Sequence, residues 1–308
     1  MELAIQTAGP YEAVVAVAHW AEARGIPALA LPDHYLYGSP DQAPAQAAPD
    51  ALIQLAGLAR DTTTIELVSL VSPVTFRHPA VHAKSAISID RMSGGRFTFG
   101  LGTGWMDTEH DVFDIPYPST SERFELLEEQ LAYVKAVRDN TSFIGNHYTL
   151  AEFDIQPRPV GPLKLLVGGA GARKTPRLAG LYADEFNAYA RPIDALRERI
   201  ETARSHLTAA GRAPGALFVS TACVPVVGAD QDGYNTAKEA AAELFKTPVA
   251  ALDDRLAETG VLHGTRNQVA ETLAAWREVG IERYYVQRPG RTVDERGHLF
   301  DVLEAALA

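Results

Sequence analysis

The sequence holds one cysteine, Cys223, in 308 residues. An internal disulfide is therefore excluded, which suits a reducing compartment. The apolar run around Cys223 predicts a buried strand residue rather than a reactive thiol. Basic residues are also short, 28 against 39 acidic ones, for a net charge of −11. That balance argues against nucleic acid or an anionic membrane as the main partner, while leaving room for a local basic pocket. Long apolar runs are missing. The longest, Ala216 to Ala229, contains Ser220, Thr221 and Pro225 and is too short to span a bilayer. The opening MELAIQTAGP has no basic stretch leading into an apolar core, so no secretory signal is expected and the reading is a cytoplasmic protein.

Several chemical signatures are absent as well. There is no GxSxG, so no serine hydrolase elbow. His78 and His82 are four apart but enclose no HExxH arrangement, so no metal site is expected. Glu128 and Glu129 lie within one helical pattern and read as a solvated face, which leaves glycosidase chemistry without local support.

What is present is a repeated alternation. Short apolar runs alternate with longer helical patterns, and 46% apolar residues suffice for a large core. Strands are predicted at Leu3–Thr7, Ala28–Pro32, Thr64–Val71, Arg96–Gly102, Leu163–Gly168, Glu185–Ala190, Ala216–Val227 and Arg283–Arg288. Helical spacing follows each of them. The clearest helix is Ser121–Arg138, with Phe124, Leu127, Leu131 and Val134 on one face. Eight strand–helix units in this length predict a single (β/α)8 TIM barrel, with a doubly wound open sheet as its rival. Two stretches read as insertions: about 140–162, with a hairpin pattern, and 228–260, largely helical.

In such a barrel, chemistry sits where strands end and loops begin. After the second strand stand Asp33 and His34. The histidine can move a proton near neutral pH, or Asp33 merely fixes a loop-capping imidazole. Ser69 and Ser72 break the third strand and predict a bulge or special turn. The fourth strand runs into GLGTGWMDTEH, where Gly100, Gly102 and Gly104 alternate. Bare backbone there would let a flat ligand approach. Trp105 stands where a dinucleotide fingerprint needs glycine, so it reads as a ring cover or a packed indole. Glu109 and His110 read either as rim groups or as solvated residues. The fifth strand ends in Gly168, Gly169, Ala170 and Gly171 before a helix carrying Arg173 and Lys174. Amides at a helix start bind phosphate, but the spacing is not that of a Walker A loop. Arg288 and Arg291 after the eighth strand either meet an acidic ligand or lie on the surface.

The segments LPDH, VSPVTFRHPAV, DRMSGGRFTFGLGTGWMDTEH, ERFELLEEQL and LVGGAGARKT together resemble the luciferase-like monooxygenase superfamily, in its order and spacing, over nearly the whole chain. The run MSGGRF, GTGW, EH is similar to the branch that uses the 8-hydroxy-5-deazaflavin coenzyme F-420. Relatives that use flavin mononucleotide (FMN) share the fold. The resemblance implies that Asp33 and His34 lie beside the cofactor ring. It implies that a non-prolyl cis peptide at Ser69–Leu70, near Ser72, props that ring, and that Gly168–Gly171 with Arg173 holds its phosphate. Gly104 and Trp105 would complete the cofactor wall. In sugar-phosphate dehydrogenases of this superfamily a glutamate follows the GTG. Here Trp105 takes that place, so the proton-handling partner is missing unless Glu109 reaches in. The expectation is an F-420-dependent oxidoreductase acting on a small organic substrate, more a reductase than a sugar-phosphate dehydrogenase. His34 and Glu109 would be its catalytic residues, and a homodimer its assembly. An FMN-dependent monooxygenase and a noncatalytic cofactor-binding protein are the alternatives.

Overall fold

The computed structural model describes residues 1–37 and 46–308. Eight parallel strands form its centre: β1 (Glu2–Gln6), β2 (Ala28–Leu31), β3 (Glu66–Ser69), β4 (Phe97–Gly102), β5 (Lys164–Gly169), β6 (Glu185–Ala188), β7 (Phe218–Cys223) and β8 (Arg283–Gln287). Each strand pairs with its sequence neighbours. β8 returns to β1, with Tyr285 opposite Ala4, and so closes the barrel. The open-sheet rival is thereby excluded, and closure leaves no sheet edge to protect.

The strands are short and buried on both faces, apolar toward the helices and mixed toward the barrel interior, where Thr98, Glu185, Asn187, Ser220 and Arg283 also lie. In β2, Ala28 and Ala30 face the barrel interior while Leu29 and Leu31 join the layer under the helices. The apolar interior positions are mostly small or slender (Ala4, Ala28, Ala30, Val68, Ala222), with Leu70, Leu166 and Tyr285 as the larger ones.

The helices are α1 (Tyr11–Ala23), α2 (Ala51–Asp61), α3 (Pro79–Ser93), α4 (Asp107–Val112), α5 (Thr120–Asp139), α6 (Lys174–Tyr182), α7 (Ile193–Ala209), α8 (Gln231–Phe245), α9 (Val249–Thr259), α10 (Arg266–Glu278) and α11 (Val293–Leu307). Local chemistry sets their ends. Asp50 caps α2 by accepting from the Ile53 amide at 3.1 Å, and Asn140 ends α5 in the left-handed region at φ +59°. No described helix is long and apolar enough to cross a membrane.

Two sequence expectations need correction. The seventh strand stops at Cys223, not Val227. Pro225 interrupts the run, and Val226–Gly228 pairs instead with His263–Thr265 in a separate two-stranded sheet. Glu128 and Glu129 are not a solvated face. Glu128 accepts from Arg177 at 3.0 Å, tying α5 to α6. Glu129 accepts from the amides of Asn146, His147 and Tyr148 at 2.7, 2.8 and 3.1 Å, anchoring the hairpin of Phe143–Ile144 and Thr149–Leu150. That hairpin occupies the first expected insertion. The second carries α8 and α9, which pack around Val226, Tyr234, Leu252 and Leu256.

Candidate active site

The C-terminal ends of the eight strands bring the expected loops to one mouth. α4 organises it. This helix follows β4 directly after Trp105, and its consecutive residues Glu109 and His110 are each only 1% exposed. The reading of them as solvated fails, because the two side chains diverge into two different loops. Glu109 Oε1 lies 3.0 Å from His34 Nδ1, and Oε2 accepts from the Tyr35 amide at 3.0 Å. His110 Nδ1 lies 2.7 Å from the Met106 carbonyl oxygen, which can only accept, so this nitrogen carries the proton. Its Nε2 then lies 2.7 Å from the Thr75 hydroxyl. One helical turn thus binds the loops after β2, β3 and β4 together.

Glu109 therefore does reach the histidine, and the structure brings His34 and Glu109 together. Trp105 is 72% exposed and stands edge-on to His34, with ring centroids 5.7 Å apart. It is an open wall of the mouth and not a packed core indole.

Asp33 is placed differently. It is fully buried, and its carboxylate faces Arg77 at 2.5 Å instead of fixing the His34 ring. The same guanidinium bridges to Asp50 at 2.5 Å. Although burial pushes the other way, Arg77 holds the Asp50 carboxyl below its usual range. Tyr35 stacks on Phe76 with centroids 4.4 Å apart, which covers this ion triad from the side. Sequence reading missed Arg77, although the RHP turn before α3 places a cation close after β3.

The strand-three bulge is present, but one residue later than expected. The non-prolyl cis peptide joins Leu70 and Val71, because β3 remains regular through Ser69. Ser69 Oγ accepts from the Gly100 amide at 2.8 Å, which fastens β3 to β4. Val71 then turns inward, and this changes the meaning of the glycines. A Cβ on Gly102 would meet Val71 Cγ2 at 2.7 Å, and one on Gly168 would meet Val71 Cγ1 at 2.8 Å. A Cβ on Gly100 would meet the Ser69 carbonyl oxygen at 2.1 Å. These glycines make room for the bulge, not for an approaching ligand. Gly104 differs, because at φ +74° it needs glycine for the turn into Trp105. Ser72 Oγ is buried and has no hydrogen-bond partner among the described residues.

At the end of β5, Gly169 takes φ +152°, Ala170 is exposed, and a Cβ on Gly171 would collide with Thr175 Oγ1 at 2.5 Å. Arg173 immediately precedes α6 and is exposed, as is Lys174. Arg288 and Arg291 are exposed after β8. His78 accepts from the Ala80 amide as the cap of α3. His82 is fully buried against Gln130, and burial pushes its pKa down to about 3. No group of three or more metal-ligating side chains occurs among the described residues. A cleft of about 510 Å³ lies behind the mouth, lined by Thr75, Arg77, His78, Tyr117 and Tyr148 among others. It shares Arg77 with the ion triad, and none of residues 168–171 lines it. Part of the long loop after His34, residues 38–45, lies outside the described residues.

The sequence matches the model of the luciferase-like monooxygenases over residues 2–283. The chain belongs to that family. Among curated relatives, it is 34% identical to the pyrimidine monooxygenase RutA of Enterobacter cloacae over 123 residues, 37% of this chain and 32% of that protein. It is 29% identical to the F-420-dependent glucose-6-phosphate dehydrogenase of Kineococcus radiotolerans over 202 residues, 64% of this chain and 58% of that one. The matches thus span about a third to somewhat over half of the length of these relatives. Among solved structures, an F-420-dependent secondary alcohol dehydrogenase superposes with a TM-score of 0.81 at 17% identity, covering 100% of this chain and 99% of that one. At that identity the likeness speaks for the family's barrel fold alone.

Proposed function

We propose that this luciferase-like barrel is an oxidoreductase that passes a hydride between F-420 and a small organic substrate. The observation that carries the reading is the proton-competent His34, braced by buried Glu109 at 3.0 Å at the barrel mouth. The choice of coenzyme follows the 202-residue similarity to an F-420-dependent dehydrogenase and the MSGGRF–GTGW–EH run.

The residues fit such a group. Gly169, Ala170 and Gly171 open a helix beside Arg173 and Lys174, an arrangement suited to a phosphate. Buried Ser72 Oγ has no partner among the described residues, and Leu70 and Val71 form the bulge on which a ring would rest. When bound, the deazaflavin would supply the hydride-carrying carbon. Carbon in place of the flavin nitrogen favours two-electron transfer over oxygen activation. The protein aligns the reactants and excludes water. His34 gives or takes the substrate's proton, and Trp105 forms the substrate-side wall. An indole where sugar-phosphate dehydrogenases carry a carboxylate favours reduction of an uncharged organic substrate. The Glu109 contact nevertheless removes the argument that an acid–base partner is missing. Flavin-dependent oxygenation is the second reading, favoured by the higher identity to RutA over its shorter match.

Titration of the purified protein with F-420 and with FMN, followed by fluorescence at matched salt, separates the two. Tight F-420 binding with weak FMN binding is expected. Preference for FMN, with substrate-dependent oxygen consumption, overturns the coenzyme assignment. His34→Ala is expected to abolish turnover of reduced F-420 while leaving coenzyme binding within a few-fold. Absence of turnover by the unmodified protein on a broad substrate panel would favour a noncatalytic binder.

The same reading includes a homodimer. Ile53 on α2 and Val81 and Met92 on the adjoining α3 are exposed apolar side chains that a second copy would cover. Light scattering should give twice the mass of the chain. A monomer at micromolar concentration would remove this part.

A further inference from the structure

The Glu109 carboxylate is buried and both of its oxygens are engaged, which gives it a definite effect on His34. Oε2 faces the Tyr35 amide at 3.0 Å, and an amide N–H can only donate. Oε1 faces His34 Nδ1 at 3.0 Å. An ionised carboxylate only accepts, so Nδ1 must carry a proton. In the neutral ring the lone pair then lies on Nε2.

We propose that Glu109 is a positioning residue that locks His34 in the Nδ1–H tautomer and so makes Nε2 the nitrogen that gives or takes the proton. This rests on the reading of His34 as the proton-handling group. Glu109 need not touch the substrate to act in this way.

The fold enforces the arrangement from the other side of α4. His110 is tied to the Met106 carbonyl within its own turn and to Thr75 in the neighbouring loop, each at 2.7 Å. α4 is only six residues long, so these two bonds hold it against rotation and keep Glu109 pointed at the loop after β2. The edge of Trp105 closes on the same imidazole. The carboxylate at position 109 stands four residues beyond position 105, where an indole sits. A residue in the first turn of α4 therefore supplies the carboxylate that the strand end lacks.

Glu109→Gln would reverse the polarity of this contact. The amide has one accepting end and one donating end. The Tyr35 amide requires the accepting oxygen, so the NH2 group must face His34 Nδ1. That nitrogen must then accept, and the ring proton moves to Nε2. A near-isosteric change is thus expected to invert the tautomer.

The measurement is a long-range proton–nitrogen correlation spectrum of 15N-labelled full-length protein above the pH at which the ring is neutral. The His34 ring is assigned by its loss in His34→Gln. The expected result is a protonated Nδ1 in the unmodified protein and a protonated Nε2 in Glu109→Gln, with unchanged circular dichroism. A protonated Nε2 in the unmodified protein overturns the proposal even if the variant fails to fold. So does a tautomer unmoved by the substitution. The failure of the underlying reading looks different: the tautomer inverts, yet His34→Ala turns over reduced F-420 normally.

Discussion

Replacing Gly100 with Ala is expected to lower the unfolding free energy by more than about 3 kcal/mol, beyond the usual range for an overfilled core. The reason is backbone geometry. The added methyl would sit 2.1 Å from the Ser69 carbonyl oxygen, and that oxygen cannot retreat. Ser69 is held to Gly100 by its own hydroxyl, at 2.8 Å from the Gly100 amide. The methyl also points at Val71 Cγ1 and Leu166 Cδ2, both 3.1 Å away.

Gly168→Ala is the informative contrast. Its nearest neighbour is a side-chain methyl, Val71 Cγ1, at 2.8 Å, with the next atom at 3.5 Å. A cost of about 1–3 kcal/mol is expected, and Val71→Ala should relieve most of it in a double-mutant cycle read from denaturant midpoints. Val71→Ala should not relieve Gly100→Ala. If Gly100→Ala costs less than about 1 kcal/mol, or if Val71→Ala rescues it, Ser69 and Gly100 are not packed as described.

These glycines show what sequence reading could and could not supply. Alternating Gly100 and Gly102 announce that something comes close to the backbone, but the spacing does not say what. A flat ligand and the protein's own Val71 satisfy the same pattern. Which one enters depends on where the chain bends after β3, and Ser69 and Ser72 bracket that bend without fixing its register. The barrel itself was legible because each strand carries its own signal: a short β-rich run, a glycine or proline stop, and a helical period following. The seventh strand was overrun because Val226 and Val227 continue the apolar pattern across Pro225, and only pairing with His263–Thr265 shows that they have left the barrel.

The site was legible residue by residue, but its wiring was not. His34 and Asp33 are neighbours in sequence and part at once in space, one to Glu109 and the other to Arg77. Glu109 and His110 share a short polar helix of the kind that usually faces solvent. They are buried because the loops after β2 and β3 fold over them, and those contacts join residues 75 and 35 positions apart in the chain. Local pattern carries no record of such pairings. The opposite mouth of the barrel went unread for the same reason, and the second large effect is expected there.

At the N-terminal mouth one guanidinium serves three carboxylates. Arg283 lies 2.7 Å from Glu2, 2.9 Å from Glu66 and 3.9 Å from Glu185. Burial disfavours charge on Glu66, but Arg283, Thr98 and Lys164 hold it below its usual range. The short contacts of Arg283 go to Glu2 and Glu66, with Lys164 also on Glu66, and Glu185 keeps only the longer 3.9 Å approach. Burial pushes Glu185 up to about 7, even though Arg283, Ser220 and Tyr285 pull the other way. Between its ordinary value of 4.5 and about 7, folded Glu185 keeps a proton that the unfolded chain has released. Stability from this group must therefore fall as pH rises through that window, by about 3 kcal/mol in all, and stay flat above it. Glu185→Gln should remove this slope, leaving the variant more stable than the unmodified protein at pH 8 and nearly equal to it at pH 4.5. Arg283→Met should do the reverse. It leaves half-buried Glu66 with Lys164 alone, at a cost of about 3 kcal/mol at pH 8 that shrinks on acidification as the carboxylates take up protons. Urea midpoints at pH 4.5, 6 and 8 read both variants. A Glu185→Gln protein with the unmodified slope would mean that Glu185 is ionised in the fold and that Arg283 neutralises all three acids together.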